Sequence, residues 1–189
     1  MDKRQLYESI MATVAKEVKK ALNEDNKNFN NAEAYRFLDL YVTKAIKMTM
    51  GDNVELPKKS TSDTKKFRPI KLVLKIGKAK KDAYISMCYY DKHEVAVSQS
   101  KMMNMKYLAF ICDGKIYVVN GDILRSNWGN KDVCYIETRT YRDAIGEDSM
   151  MTNFNLDFLK ENAEDVISMT DDAIMMYEKA YNEMSLTRI

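Results

Sequence analysis

The stretch Tyr107 to Val119, YLAFICDGKIYVV, limits the fold more tightly than any other. Two apolar runs flank Asp113-Gly114, and Asp-Gly is the favoured pair for a two-residue type I′ turn because both central residues need φ > 0. In the first run Leu108, Phe110 and Cys112 fall on one face, and Tyr107, Ala109 and Ile111 on the other. A strand that is apolar on both faces is covered on both sides. The spacing therefore predicts a hairpin at the centre of a sheet.

Helical periodicity brackets that hairpin. Leu6, Ile10, Val14, Val18 and Leu22 recur every fourth residue and predict an amphipathic helix from Asp2 to Leu22 with a basic outer face. After the break NEDNKNFNN, Asn30 and Glu33 read as a capping box, and Tyr35, Leu38, Val42, Ala45, Ile46 and Thr49 predict a second helix ending at Gly51. Residues 52–66 are polar, contain Pro57 and lack a period, which predicts a mobile loop. Phe67 to Ile76 then alternates, with Ile70, Leu72, Leu74 and Ile76 on one face and Lys71 and Lys75 on the other.

Further strands are expected at Ala83–Tyr90, Glu94–Gln99 and Val133–Thr138, with a turn at Lys80-Lys81-Asp82 and a loop over NGDILRSNWGNKD. Arg139 to Met151 reads as irregular. From Phe154 onward, Leu156, Leu159, Val166, Met169, Ala173, Tyr177, Ala180 and Met184 predict helix, with Asp157, Glu161, Asp165 and Asp172 on the opposite side. The expected fold is α+β in a single domain, 1–189: two N-terminal helices, a mainly antiparallel sheet of about six strands around the hairpin 107–119, and an acidic C-terminal helix.

A chain of 189 residues suffices for one domain with a substantial core. Two prolines and six glycines leave little for linkers. The N-terminus has no apolar run and cleavage site of the secretory kind, and the longest apolar run, Tyr107 to Cys112, is too short to span a bilayer. The expected location is cytoplasmic. Cys88, Cys112 and Cys134 lie within strand patterns and read as core thiols.

Net charge is only +2, yet the charges are segregated. Between Lys58 and Lys81 stand Lys58, Lys59, Lys65, Lys66, Arg68, Lys71, Lys75, Lys78, Lys80 and Lys81 against the single acid Asp63, a balance of +9. Glu147 to Ile189 holds ten acids and three bases, a balance of −7. Such blocks imply partners of opposite sign, or an acidic tail that docks on the basic segment of its own or a neighbouring subunit. Lysines spaced along an exposed strand, with Phe67 among them and Arg125 and Trp128 as further candidates, suit phosphate contacts beside an aromatic platform.

Several chemistries lack their motifs. Neither a Walker pattern nor GxGxxG occurs, the cysteines lack CxxC spacing, and His93 is the only histidine. What remains is carboxylate and lysine chemistry on strands. Asp82 opens one strand, Glu94 stands in the next, and the pair ending DGKIYVV follows; in this layout Glu33 to Leu124 resembles the PD-(D/E)XK nuclease superfamily. The resemblance implies that Asp82 and Glu94 hold a divalent ion such as Mg²⁺ and that a lysine activates water. The residue two after Glu94 is Ala96, where that family has lysine; Lys92, on the same strand face as Glu94, and Lys101 are the replacements.

Three functional expectations follow. The first is a non-enzymatic protein, without cofactor, that binds nucleic acid or a nucleic-acid-processing complex; in its charge segregation the chain is similar to phage and mobile-element accessory proteins such as anti-CRISPR and anti-restriction inhibitors. The second is a metal-dependent endonuclease using Asp82, Glu94 and Lys92. The third is a structural domain that self-associates into a homo-oligomer through its opposed charge blocks.

Overall fold

The computed structural model describes residues 31–55, 71–86, 88–89, 93–142 and 148–186. The expected helix over Asp2–Leu22 and most of the 52–66 loop lie outside these residues. The described elements are α1 (Asn31–Met50), a 3-10 turn (Gly51–Asn53), β1 (Val54–Glu55), β2 (Lys71–Ile76), β3 (Ala79–Ile85), β4 (Cys88–Tyr89), β5 (Glu94–Ser98) and α2 (Gln99–Asn104). There follow β6 (Tyr107–Cys112), β7 (Lys115–Asn120), α3 (Gly121–Ser126), β8 (Cys134–Arg142), β9 (Asp148–Asn155), α4 (Leu156–Glu161), β10 (Ala163–Ser168) and α5 (Asp171–Leu186).

The strands form two sheets. The first has six strands in the order β1-β2-β3-β6-β7-β10, the second four in the order β4-β5-β9-β8. All pairings are antiparallel except β3 with β6, where Ala83 to Ile85 run parallel to Tyr107 to Ala109. The architecture is α+β, with the first sheet between a helical layer and the second sheet. Among the described residues no helix is long and apolar enough to cross a membrane.

The two-faced apolar pattern of the hairpin accounts for the layering. Ala109, Ile111, Ile116 and Val118 meet Val42, Ala45 and Ile46 of α1 and Ala173, Met176 and Tyr177 of α5 in one core, which also takes Leu72, Leu74, Ala83 and Ile85. Leu108, Phe110, Cys112, Tyr117 and Val119 point the other way and pack against Cys88, Val95, Val97, Cys134 and Phe154 of the second sheet. Phe110 and Tyr117 stack across the hairpin at 5.3 Å between ring centroids. Each fully buried side chain of this size contributes about 1.5–3 kcal/mol by removal from water. Both faces of one hairpin thus carry a separate core.

Turns are set by backbone chemistry. Asp113 and Gly114 have φ of 50° and 72°, and Cys112 pairs with Lys115, as the type I′ reading requires. A second tight turn lies at Gly77-Lys78, with Gly77 at φ 61°, and not at Lys80-Lys81-Asp82, which belong to β3. The glycine accommodates the left-handed conformation that the lysines would resist. Asn120 caps α3 by accepting from the Asp122 N–H at 2.9 Å, which makes a helix of residues read from sequence as a loop.

The C-terminal third departs furthest from expectation. Of the expected strand Val133–Thr138, Cys134–Thr138 belongs to β8 of the second sheet and does not close the first; the region from Arg139 to Met151, expected to be irregular, contains the end of β8 and the start of β9. The long helix expected from Phe154 is a strand end, the short α4, the strand β10 and then α5. Leu156 and Leu159 mimic the first turns of a longer helix. Asn162 ends α4, its side chain donating to the Phe158 carbonyl at 2.8 Å, and Ala163–Ser168 alternates in exposure as an edge strand does. Val54 and Glu55, expected in the loop, form the opposite edge strand by pairing with β2.

Gly121 provides a sharp test of this packing. A Cβ there would lie 2.2 Å from the Met105 carbonyl oxygen, whereas one on Gly77 would meet nothing within 4 Å. Gly121→Ala should therefore cost about 3 kcal/mol, the upper end of overpacking, and Gly77→Ala about 1 kcal/mol of left-handed backbone strain. Urea denaturation of both variants checks this ranking; equal losses would contradict it.

Candidate nucleic-acid interface

Strand alternation and register place the basic residues of β2 and β3 on two different faces. Lys71 pairs with Tyr84, Val73 with Asp82, and Lys75 with Lys80, so these six share the face opposite to the helices. The second sheet covers β6 and β7 on that side, and the outer part of β2 and β3 remains partly open: Lys71, Val73 and Lys75 are half-buried and Lys80 is exposed. Lys78 is exposed in the connecting turn. The Lys106 side chain, 73% exposed, reaches the same surface, its Nζ 3.8 Å from Asp82 Oδ2.

The surface is partly neutralised. Glu55 accepts an ion pair from Lys75 at 2.8 Å and a longer one from Lys80 at 3.8 Å. The hydrogen bond and charge of Lys75, with a smaller contribution from Lys80, hold the Glu55 carboxyl below its usual range. Lys71 Nζ lies 5.7 Å from the Tyr84 ring centroid. Five lysines (71, 75, 78, 80 and 106) thus stand with two carboxylates, Glu55 and Asp82, and the face keeps a positive excess. Residues 56–70, which join β1 to β2, bring Lys58, Lys59, Lys65, Lys66 and Arg68 in sequence; these five lie outside the described residues.

Lys81 belongs elsewhere. It pairs in register with Leu74 and therefore points to the helical side, where its Nζ binds Asp165 Oδ2 at 2.6 Å and Glu164 Oε2 at 2.9 Å. The ammonium lies 5.0 Å from the Tyr107 ring centroid, and Asn120 Nδ2 donates to Glu164 Oε1 at 3.2 Å. Burial works to lower the Lys81 pKa, but the hydrogen bonds to Asp165 and Glu164 outweigh it and the net direction is upward. Lys81 and then Asn120 lower that of Glu164. Here the acidic segment does dock on the basic segment of its own chain, tying β3 to β10 across the hairpin.

Arg125 and Trp128 are also engaged. Arg125 Nη1 donates to the Met102 and Met105 carbonyls at 3.0 and 2.6 Å, and Nη2 to Asp122 Oδ1 at 2.6 Å, so the guanidinium clasps the end of α2. Trp128 is 41% exposed while its Nε1 donates to Thr152 Oγ1 at 3.3 Å. Neither residue stands on the β2–β3 face.

Asp82 and Glu94 stand in different sheets. Asp82, on β3, faces Lys106; Glu94, at the start of β5, accepts from the Tyr135 hydroxyl at 2.8 Å across the outer face of the second sheet. Lys92 lies outside the described residues, and the Lys101 N–H donates to Ser98 Oγ in the cap of α2. Among the described residues no group of three or more His, Cys, Asp or Glu is arranged to hold a metal ion. His93 occupies a turn with φ 57°, its Nε2 3.1 Å from Asp157 Oδ1 and its carbonyl accepting from the Leu156 N–H.

Sequence reasoning missed Glu55, Lys106, Asn120 and the pair Glu164-Asp165. Glu164 and Asp165 lay in a stretch read as helix, so the sheet that brings them to Lys81 was invisible. Ala163 to Ser168 carries no apolar–polar alternation in sequence, so nothing local marks it as a strand. No protein-family model, no curated protein and no solved structure matches the chain.

The Lys81 network sets the sign of a pH response. The lowered Glu164 pKa contributes stability that is present above the ordinary 4.5 and lost as pH falls through the folded value. The raised Lys81 pKa contributes stability present below the ordinary 10.5 and lost as pH rises through its folded value. Lys81→Met leaves Asp165 without its ammonium and should cost about 1–3 kcal/mol near neutral pH. It should also flatten the loss of stability on acidification below pH about 4.5. Denaturation midpoints across pH 3–7 check this; a variant as stable as the wild type would assign the pair to the solvated surface.

Proposed function

We propose that this protein is a non-enzymatic binding protein whose ligand is nucleic acid, alone or within a nucleic-acid-processing complex. The observation that carries the reading is the open face of β2 and β3. Lys71, Lys75, Lys80 and Lys106 share it with the exposed Lys78 at its turn, and the strongly basic segment 56–70 begins and ends at the same sheet edge, between Glu55 and Lys71. Lysine ammonium groups on a rigid strand surface neutralise backbone phosphates without reading base identity. The ion pairs of Glu55 are exposed and weak, and phosphate oxygens can compete for the same lysines.

Lysine on strands near a sheet edge also protects against aggregation, and binding data decide between the two roles. Fluorescence anisotropy with labelled single-stranded and duplex oligonucleotides should show affinity falling linearly with log salt. Lys71→Ala combined with Lys75→Ala should reduce the slope by about 0.7–0.9 for each phosphate that the variant no longer neutralises. Both lysines are half-buried and Lys75 pairs with Glu55, so the double variant should lose about 1 kcal/mol or less. An unchanged affinity and slope would assign the lysines to solubility and overturn the proposal.

A further inference from the structure

Cys88 and Cys112 are adjacent although 24 positions separate them. The parallel register of β3 and β6 sets Tyr84 beside Leu108 and Ile85 beside Ala109, and the Ser86 N–H extends the ladder by donating to the Ala109 carbonyl at 3.0 Å. Carried past the end of that ladder, the same offset brings position 88 to the level of position 112. At β4 the chain has left the first sheet for the second, where Cys88 pairs with Val95, but β4 still contacts β6. Both cysteines are free and essentially fully buried in the same core between the sheets, at 0% and 1% exposure.

A polar chain leads outward from this pair. The Cys112 thiol donates to Asp113 Oδ2 at 3.4 Å, and Lys160 Nζ meets the same oxygen at 3.3 Å while lying 5.8 Å from the Tyr117 ring centroid. The Asp113 side chain is 72% exposed, so the chain runs from two buried sulfurs to solvent through a single carboxylate. Cys134 differs: its Sγ is engaged by the Asn127 and Asn130 carbonyls at 3.3 and 3.5 Å.

We propose that Cys88 and Cys112 are an oxidisable dithiol, converted by hydrogen peroxide to a disulfide that staples the crossover from the first sheet to the second. The Cys112 thiol, which donates to Asp113, releases its proton to solvent. The Cys112 sulfur attacks one peroxide oxygen, the O–O bond breaks, and the departing hydroxide takes up a proton as water, leaving a sulfenic acid. The Cys88 sulfur then attacks the Cys112 sulfur; the S–O bond breaks and a second water leaves with the Cys88 proton. Two thiols and one peroxide give one disulfide and two waters. Hydrogen-bond donation from Cys88, joined by the charge of Lys160, outweighs burial and the Asp113 carboxylate and lowers the Cys112 pKa. The interaction with Cys112, together with burial, raises that of Cys88. This favours Cys112 as the first nucleophile.

Native protein treated with hydrogen peroxide, then denatured and alkylated, tests the site. The reduced chain accepts three alkyl groups, one per cysteine; after peroxide the wild type should accept one, migrate as a monomer without reductant, and give a Cys88–Cys112 peptide on digestion. Cys134→Ser should lose two alkylatable thiols in the same way, and Cys88→Ser and Cys112→Ser should form no intramolecular disulfide. The wild-type peptide map stands on its own should a serine variant fold poorly. Retention of three alkylatable thiols, or a disulfide that includes Cys134, overturns the proposal.

Discussion

Covering both faces of the β6–β7 hairpin is the constraint from which the rest of the structure follows. A hairpin apolar on one side needs a single partner layer, but Phe110, Tyr117 and Val119 on one face and Ile111, Ile116 and Val118 on the other need two. The helices α1 and α5 supply the first layer. The second is another sheet, reached when the chain continues past β3 and leaves it at Cys88. The parallel pairing of β3 with β6 therefore holds the hairpin in register with β2 and also aims the chain at its second layer.

That second layer is smaller than the sheet it covers, and the difference in area has a consequence for charge. Over β6 and β7 the first sheet is dry on both faces. Beyond them, β2 and β3 are fully buried only on the helical side, and lysine occupies most of the other, partly open side. On the helical side an inward-facing lysine must be paired, which Asp165 and Glu164 accomplish for Lys81. One run of basic sequence is thus divided by strand parity into a structural cation and a set of surface cations. Lys81 ties β3 to β10, and Lys71, Lys75 and Lys80 lie on the opposite face.

The same parity explains what could be read from the sequence. The type I′ turn, the alternation of Leu72 and Leu74 against Lys71 and Lys75, the burial of all three cysteines and the helix ending at Met50 are local signals, and all follow from residues adjacent or periodic along the chain. The division of strands between two sheets is not local, because nothing between Ile85 and Cys88 announces a change of layer. The short helices α3 and α4 rest on asparagine caps, which resemble loop signals in a linear reading. β10 was hidden because Val166 and Met169 lie three apart, a spacing that extends the helical pattern of Leu156 and Leu159. The partial site was legible in its charge, and its geometry was not, since only the register of β2 with β3 separates Lys81 from Lys80.

The central claim is that ligand meets the solvent side of β2 and β3 and leaves the other faces alone. Backbone amide chemical shifts followed during titration with a short oligonucleotide test it residue by residue. The account predicts shifts concentrated at Lys71 to Asp82 and at Lys106, with Tyr135 on the second sheet and Met175 and Glu178 on α5 unmoved. The largest shifts on the second sheet or on α5, with β2 and β3 silent, would contradict it.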